Sequence, residues 1–351
     1  MFEEGEGNMT KKYVTFGELM LRLSPAGHEV LFQTPRLEAT FGGAEANVAV
    51  SLANYGESVD FVTALPRNPV ADAAIRELRA FGVGTSRIAR KGERVGIYYA
   101  ETGASMRQSK VVYDRAHSSI SEISPDEFKW DDIFKDAHWF HTTGITPALS
   151  RNAAEATLEA MKAARAHGVK ISCDLNYRKK LWKWGRSPEE VMTELASQVD
   201  VLIANEEDCQ KCLGIELDID VTKGSIDASK YRELARRVTA RFPNVERFAV
   251  SLRESLSADW NNWSVVMADK NGFYTSKKYE IRDIVDRIGG GDSFGAGLIW
   301  GLDNLGGPLE TVEFAAAASA LKHTIYGDYN MISLDDVKNL AAGDASGRVQ
   351  R

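Results

Sequence analysis

Short apolar runs alternate with segments of helical periodicity from residue 13 to about residue 325. The runs are rich in β-branched and aromatic residues, whereas the segments between them repeat apolar residues at helical spacing. This alternation is typical of strands joined by crossover helices, so it predicts an α/β fold with a mostly parallel sheet between two helical layers. The predicted strands are 13–16, 59–63, 137–142, 169–175, 199–205 and 246–252. The predicted helices are 44–55, 70–81, 151–167, 188–197, 205–213 and 229–242, followed by 291–304 and 308–325.

Two regions, residues 19–40 and 93–117, break this alternation. Strand-like segments follow one another there with no helix between them, namely LMLRLSP, VLFQTP, GIYYAET and SKVVYDR. Because antiparallel strands need no crossover helix, we expect a small antiparallel sheet that lies beside the main sheet as a lid. No Pro- or Ser-rich linker separates these regions from the rest. The pattern therefore predicts one domain over residues 10–345 that carries an inserted lid.

Composition narrows the class of protein. The chain has 351 residues, of which 44% are hydrophobic and 26% charged, and its net charge is −7 at pH 7. An acidic balance argues against nucleic acid as the default partner, because phosphate contacts need clustered Lys and Arg. No apolar run has the length of a membrane span, and three cysteines favour a reducing compartment. We expect a cytoplasmic protein with no nucleic-acid or membrane partner, a disordered extension over residues 1–9 and a tail over 346–351.

The segment DRIGGGDSFGAG, residues 286–297, places three glycines and a carboxylate where a helix is predicted to begin. One interpretation is structural, with Asp292 as the N-cap of that helix. The other is catalytic: amides of Gly289, Gly290 and Gly291 bind an anion while Asp292 accepts a proton. The chain contains neither GK[ST] nor a GxGxxG fingerprint, which argues against a P-loop and a nicotinamide site. Taken alone, the segment leaves both interpretations open.

Two further segments carry polar residues at predicted element ends. GGAEANVAVSLAN, residues 42–54, would let the backbone approach a ligand at Gly43 and project Asn47 from a first helical turn, although close helix packing explains most of it. DLNYRKKLW, residues 174–182, follows a predicted strand, and ligands bind at the carboxyl ends of such strands. In an extended segment Asp174, Asn176 and Arg178 would point the same way. The alternative for this segment is a solvated basic loop.

The lid segment VVYDR would place Tyr113 and Arg115 on one strand face, with Tyr98 on a partner strand. Such a flap suits a polyhydroxylated anion, since Arg can hold a carboxylate with two parallel hydrogen bonds. An ordinary aromatic pair across two strands is the alternative.

Two of these motifs together resemble a known family. GGAEANVAVSLANYG and DRIGGGDSFGAG are similar to the two signatures of the ribokinase-like (PfkB) sugar kinases, and the resemblance covers about residues 12–340. It implies a three-layer fold, a central mostly parallel sheet flanked by helices with a small β-sheet lid, and the use of ATP with Mg²⁺. It also implies that Asp292 is the base for a sugar hydroxyl. The amides of Gly289, Gly290 and Gly291 would form the anion hole for the transferred phosphoryl group.

The nucleotide side of the resemblance is less regular. Asn205-Glu206-Glu207-Asp208 resembles the NxxE motif, which implies a nucleotide contact for Asn205 and an indirect part in Mg²⁺ binding for Glu206 and Asp208. Arg253, in a predicted loop over 252–263, would contact phosphate. Two departures stand beside the glycines: Arg287-Ile288 fills a place where the family usually has Thr, and Gly290 replaces Ala.

Within the family, several segments resemble the kinases of 2-keto-3-deoxygluconate: GGAEAN, GIY, VYDR followed by HSS, GITPALS and DLNYRKKLW. This implies phosphorylation of the 6-hydroxyl of that sugar acid, with Arg115 and Arg178 near its carboxylate. The implied substrate contacts are Gly43, Asn47, Tyr98, Tyr113, Arg115, Arg178 and Asp328. A fructokinase-like enzyme and a non-catalytic sugar- or nucleotide-binding protein remain as alternatives, and the galactonate epimer is not separated from gluconate. The exposed lid edge suggests a homo-oligomer.

Overall fold

The computed structural model describes residues 11–217, 228–345 and 347. The predicted extension over 1–9 lies outside these residues, as does the predicted tail apart from residue 347. No helix among the described residues is long and apolar enough to cross a membrane.

Fourteen strands are present in the described residues. They are β1 (Lys12–Phe16), β2 (Met20–Ser24), β3 (Glu38–Gly42), β4 (Ser58–Leu65), β5 (Ile88–Arg90), β6 (Gly96–Glu101), β7 (Lys110–Asp114), β8 (Trp139–Thr143), β9 (Lys170–Asp174), β10 (Val201–Ile203), β11 (Arg247–Ser257), β12 (Trp260–Ala268), β13 (Phe273–Thr275) and β14 (Tyr279–Ile281).

Eleven α-helices and one 3-10 turn (Pro125–Glu127) lie among them. The helices are α1 (Ala44–Asn54), α2 (Pro69–Ala80), α3 (Trp130–Phe134), α4 (Ile145–Leu149), α5 (Arg151–Ala166), α6 (Pro188–Ala196), α7 (Glu206–Leu213), α8 (Ala228–Arg241), α9 (Gly290–Asn304), α10 (Pro308–Lys322) and α11 (Leu334–Ala342).

Ten strands form the central sheet, in the order β13-β12-β11-β10-β9-β8-β1-β4-β5, with β14 also paired to β12. All pairs from β11 to β5 are parallel, whereas β12 pairs antiparallel with β11, β13 and β14. The predicted mostly parallel sheet is confirmed. The predicted loop over 252–263 is wrong: these residues form the β11–β12 hairpin, whose outer half is exposed and polar and so lacks the apolar run of a buried strand.

Helices cover both faces of this sheet. Val14 and Phe16 of β1 pack into one core with α3, α5, α6, α7 and α8. Tyr13, which comes directly before Val14, points into the other core with α1, α2, α9, α10 and α11. Because neighbouring side chains of a strand point to opposite faces, a sheet buried on both faces requires continuous apolar runs. This is why the strand runs were predictable from sequence.

The lid is a separate four-stranded sheet in the order β3-β2-β6-β7. The hairpins β2–β3 and β6–β7 are antiparallel, as expected for the lid, whereas β2 and β6, which join the two hairpins, pair in parallel. The chain passes through α1, β4, α2 and β5 between the two hairpins, which allows it to return in the same direction. The predicted strand VLFQTP is also wrong: residues 30–35 form turns, Phe32 has φ 64° and is 70% exposed, and β3 begins at Glu38.

Candidate active site

The glycine segment turns the chain into α9. Gly289 is the N-cap with φ 84°, and a Cβ there would lie 2.1 Å from the Asp328 carbonyl oxygen, so the position requires glycine. A Cβ on Gly290 would lie 2.8 Å from His323 Cε1, which explains the absence of the usual alanine. A Cβ on Gly291 would meet no atom within 4 Å. The first turn of the helix therefore opens towards a cavity at Gly291, as an anion site at a helix N-terminus requires.

Asp292 is the third residue of α9 rather than its N-cap, and no side chain caps this helix. Its Oδ2 accepts a hydrogen bond of 2.6 Å from Nδ2 of Asn47 in α1. Burial raises the pKa of Asp292 to about 6, although the bond from Asn47 and the charges of Arg178 and Lys322 oppose this rise. A carboxylate with a pKa near 6 is suited to accept a proton at neutral pH. The geometry thus favours the catalytic interpretation of Asp292 over the capping one.

A cavity of about 990 Å³ lies in front of Asp292, between the lid and the carboxyl ends of β9, β10 and β11. It brings together the two glycine motifs and the strand-end segments that the sequence singled out. Gly290 is the one predicted site residue that is not among its lining residues, because it is buried against His323. The predicted residues that line it are Gly43, Asn47, Tyr98, Tyr113, Arg115, Arg178, Asn205, Glu206, Asp208, Arg253, Gly289, Gly291, Asp292 and Asp328.

On the lid side, Tyr98 and Tyr113 are cross-strand partners whose ring centroids lie 6.1 Å apart. The aromatic pair and the cavity wall are thus the same residues. The Tyr98 hydroxyl donates to Asp328 Oδ2 at 2.6 Å. Arg115 is buried and paired with Glu18, its Nε donating to Oε2 at 2.7 Å, while Glu18 Oε1 has no hydrogen-bond partner in the described residues. Much of the charge of Arg115 is therefore already balanced by Glu18.

The segment after β9 reaches the cavity by a different path from the expected one. Asn176 has φ 40°, so the chain is not extended here, and its N–H donates to Asp174 Oδ1 at 3.1 Å. Asn adopts this left-handed conformation at lower cost than most residues. Asp174, Asn176 and Arg178 nevertheless all line the cavity. Arg178 is exposed, and in the described part of the chain it forms no ion pair within 4.0 Å.

Two more arginines stand on this side of the cavity. Arg253 projects from β11, and Arg287 donates to Asn261 Oδ1 at 2.7 Å and to the Ser257 carbonyl oxygen. The β11–β12 hairpin therefore fixes Arg287, the residue that departs from the family pattern. Burial lowers the pKa of Arg253, and the nearby charge of Arg178 lowers it further. An anionic ligand at this wall would relieve the repulsion among the three guanidinium groups.

The Asn205-to-Asp208 motif caps α7. The Asn205 side chain accepts from the Asp208 N–H at 2.8 Å, and Asp208 Oδ2 accepts from the Asn205 N–H at 3.0 Å. Asp208 Oδ1 accepts from the Tyr177 N–H at 2.8 Å, and burial raises the pKa of Asp208 to about 6. Glu206 accepts from the Tyr231 hydroxyl at 3.1 Å. The described residues contain no group of three His, Cys, Asp or Glu side chains able to hold a metal ion by themselves.

Sequence reasoning named Asp328 as a substrate contact but missed the buried charges that surround it behind the glycine loop. Arg22 in the lid bridges Asp286 Oδ2 at 2.7 Å and Asp328 Oδ1 at 2.9 Å. Lys322, at the end of α10, is fully buried beside them. The alternation of Arg22 with leucines in LMLRLSP, and the position of Asp286 in DRIGGGD, were signals that could have pointed to them.

The whole domain matches one protein-family model. The model describes the pfkB family of carbohydrate kinases and matches residues 10–334. The chain belongs to this family. The ribokinase-like fold expected from the two motifs is thereby confirmed, and with it the assignment as a sugar kinase.

Individual relatives agree with this assignment. A 2-dehydro-3-deoxygalactonokinase from Haloferax volcanii is 35% identical over 340 residues, which is 97% of this chain and 99% of that protein. The crystal structure of 2-dehydro-3-deoxygluconokinase from Thermotoga maritima is 48% identical, with a TM-score of 0.90 over 95% of this chain and 100% of that one. A fructokinase from Xylella fastidiosa with bound ATP shares the fold, with a TM-score of 0.74 at 22% identity over 95% of this chain and 98% of that one.

Proposed function

We propose that this chain transfers the γ-phosphoryl group of ATP to the 6-hydroxyl of 2-keto-3-deoxygluconate. The observation that carries the proposal is the contact of Asn47 with Asp292 beside the open face of Gly291. It joins a polar residue of the sugar motif, a carboxylate of raised pKa and a helix N-terminus free to bind phosphate. The Thermotoga maritima enzyme, 48% identical, carries the name of this activity.

Asp292 is the proposed general base. It takes the proton of the sugar hydroxyl as that oxygen attacks the γ-phosphorus, and Asn47 holds the carboxylate in place. The bond from phosphorus to the bridging oxygen breaks, and ADP leaves with the electron pair. Phosphoryl transfer depends mostly on positioning and charge neutralisation, and a base with a pKa of about 6 is well matched to this task.

The amides of Gly289, Gly290 and Gly291 are the proposed anion hole for the phosphoryl group in flight. Preorganised amide donors stabilise charge that develops in the transition state, and they need no reorganisation at that moment. Arg253 and Arg287 provide positive charge for the ATP phosphates on the same side of the cavity. Asn205 is the proposed nucleotide contact at the start of α7.

Mg²⁺ fits this cavity as a companion of ATP rather than as a resident ion. It is commonly bound by one or two carboxylates together with substrate phosphates and water. Glu206 is a lining carboxylate available for such a contact, whereas both oxygens of Asp208 already accept backbone N–H groups. When bound, Mg²⁺ would neutralise phosphate charge, and Asp208 would act on it only indirectly.

Arg178 is the proposed principal reader of the substrate carboxylate. Arg115 contributes hydrogen bonds, but Glu18 balances its charge. Tyr98, Tyr113, Asp328 and Gly43 would complete the walls around the sugar hydroxyls. The two relatives described above are named for the gluconate and the galactonate epimers, so the proposal is firmest for the class of 2-keto-3-deoxy sugar acids.

The test is ADP release by the purified protein with ATP, Mg²⁺ and 2-keto-3-deoxygluconate, with phosphorus NMR to locate the phosphate on the product. We expect turnover and a phosphate monoester at C6. The galactonate epimer, fructose and ribose are tested in parallel. Turnover with fructose alone would favour the fructokinase alternative. ATP binding without turnover on any sugar would favour a non-catalytic binding protein.

Two expectations about the setting are also part of the proposal. Self-association through the lid is supported by its exposed apolar side chains, which are Val30, Phe32, Met106, Val112 and Tyr113. A reducing, cytoplasmic setting is supported by the cysteines, all three of which are buried and free. Light scattering of the protein and of a Val112→Lys variant tests the first. A monomer at working concentration would contradict it.

A further inference from the structure

A network of four buried charges lies behind the glycine loop, and of these four residues only Asp328 also lines the cavity. Arg22 joins Asp286 to Asp328 through ion pairs of 2.7 and 2.9 Å. Asp286 also accepts hydrogen bonds from the N–H groups of Ile288 at 3.0 Å and Gly327 at 3.1 Å. It therefore connects the segment just before the three glycines to the turn at Gly327. The lid strand β2 is thus tied directly to the loop that precedes the three glycines.

Lys322 is the fourth charge, and neither the fold nor the proposed chemistry so far gives it a role. Its side chain is fully buried, and its Nζ donates to the Ile325 carbonyl oxygen at 3.0 Å. Its Cε lies 3.0 Å from the position that a Cβ on Gly289 would take, so the lysine side chain packs directly behind the Gly289 turn. Burial lowers the pKa of Lys322, while Asp286, Asp328 and Asp292 oppose this shift.

The balance of charge explains why a cation is needed at this point. Asp286 and Asp328 bring two negative charges behind amides that must receive a negatively charged phosphoryl group. Arg22 offsets one of these charges, and Lys322 offsets the other. Without Lys322, the field behind the loop would repel the transferred group, and in a buried site this repulsion is only weakly screened by water.

We propose that Lys322 is a positioning residue for phosphoryl transfer. It supports the Gly289 turn from behind and brings a positive charge next to the loop amides. The inference rests on the proposed kinase function and adds to it a residue that does not line the substrate cavity. A purely structural role would require only that Lys322 contribute to stability.

The first test is Lys322→Met, which keeps an unbranched side chain only one atom shorter and removes the charge. We expect kcat to fall about tenfold or more, short of the hundredfold that loss of a direct donor to the anion costs, with the KM for the sugar nearly unchanged. Lys277→Met is the matched control, since Lys277 Nζ also donates to carbonyl oxygens, of Leu340 and Ala341 at 2.9 Å, but at the end of α11. Equal kcat values for the two variants would overturn the proposal.

The second test separates charge from packing by chemical rescue. Lys322→Ala leaves a space that the charges of Asp286, Asp328 and Asp292 act on, and methylammonium or ammonium should enter it and restore part of the lost kcat. Tetramethylammonium at the same ionic strength is too large to enter and should restore nothing. Rescue confined to the small cations supports the proposal. A folded Lys322→Ala protein whose kcat does not respond to small cations would contradict it.

A third measurement keeps this inference separate from the sugar substrate. Binding of ADP with Mg²⁺ and aluminium fluoride, which mimics the phosphoryl group in flight, is measured by calorimetry without any sugar. Lys322→Met should weaken this binding about tenfold while ADP alone binds as before. If the wild type forms this complex but turns over no sugar acid, and Lys322→Met weakens the complex, the proposed substrate is wrong while the proposed role of Lys322 is supported. If Lys322→Met binds the mimic as tightly as the wild type, the role of Lys322 fails.

Discussion

The two sides of the glycine loop use the same kinds of side chain in opposite ways. Behind the loop, Arg22, Asp286, Asp328 and Lys322 are almost completely buried, and each already has a partner. In front of it, Arg178 and Asp292 face an open cavity and are partly exposed. Buried and paired charges give a fixed geometry, whereas exposed charges are available to a ligand. We therefore propose that the charges behind the loop position it, with Asp328 also forming part of the cavity wall, and that the residues in front carry recognition and chemistry.

The largest effect is expected from the front carboxylate. Asp292→Asn removes the base but keeps the shape of the side chain, so kcat should fall about 100- to 10,000-fold while ATP still binds. Asp303→Asn, at the other end of α9 and bonded to Tyr13 and His138, is the matched control and should keep its activity. Near wild-type turnover by Asp292→Asn would show that Asp292 is not the general base.

A substitution in the buried network behind the loop should instead lower the free energy of unfolding. Arg22→Met leaves Asp286 and Asp328 buried without their common partner, and breaking a buried pair typically costs about 3–5 kcal/mol of unfolding free energy. The control is Arg90→Met, because the Arg90–Asp72 pair is partly exposed and should contribute about 1 kcal/mol or less. Chemical denaturation measures both variants. Similar small losses would show that the rear network is not a fixed frame.

The front arginine should act on substrate affinity. Arg178→Ala should raise the KM for the sugar acid about tenfold or more, because a hydrogen bond to a charged group contributes about 1.5–3 kcal/mol. The KM for a neutral sugar should hardly change. Lys179→Ala removes a neighbouring exposed charge and serves as control. Equal effects of the two variants would indicate general attraction rather than recognition of a carboxylate.

The smallest expected effect is the pH dependence of kcat/KM that the titration of Asp292 produces. A base must be deprotonated to act, and the pKa of Asp292 is raised to about 6. The value of kcat/KM should therefore rise about tenfold per pH unit well below pH 6 and level off above pH 7. A profile that is flat from pH 5 to pH 8 would be inconsistent with Asp292 as the base in the free enzyme.

The residues in front of the glycine loop were much more predictable from the sequence than the charged residues behind it. The front residues lie in compact motifs at the ends of strongly patterned strands, and nearly all of them meet at one cavity. The pairs of the rear join residues about 300 positions apart in the chain, such as Arg22 with Asp328, and no local pattern reports such a pairing. The support of Arg287 was missed for a different reason, because it comes from the β11–β12 hairpin, a segment predicted as a loop.

Errors in the fold have a related physical origin. The strand runs of the main sheet were predictable because burial on both faces demands apolar residues. VLFQTP resembles such a run, yet Val30 and Phe32 are exposed on the lid, where apolar character does not report burial. Asn176 has a left-handed φ that its local sequence allows but does not require, so the path of Arg178 into the cavity was not predictable.

The most direct test of the central claim is the ratio of kcat/KM for 2-keto-3-deoxygluconate to that for fructose in the wild-type protein. Arg178 forms no ion pair with any of the described residues, so a site that uses it to bind a carboxylate should prefer the acid about a hundredfold or more. A ratio near one, or a preference for fructose, would contradict the account.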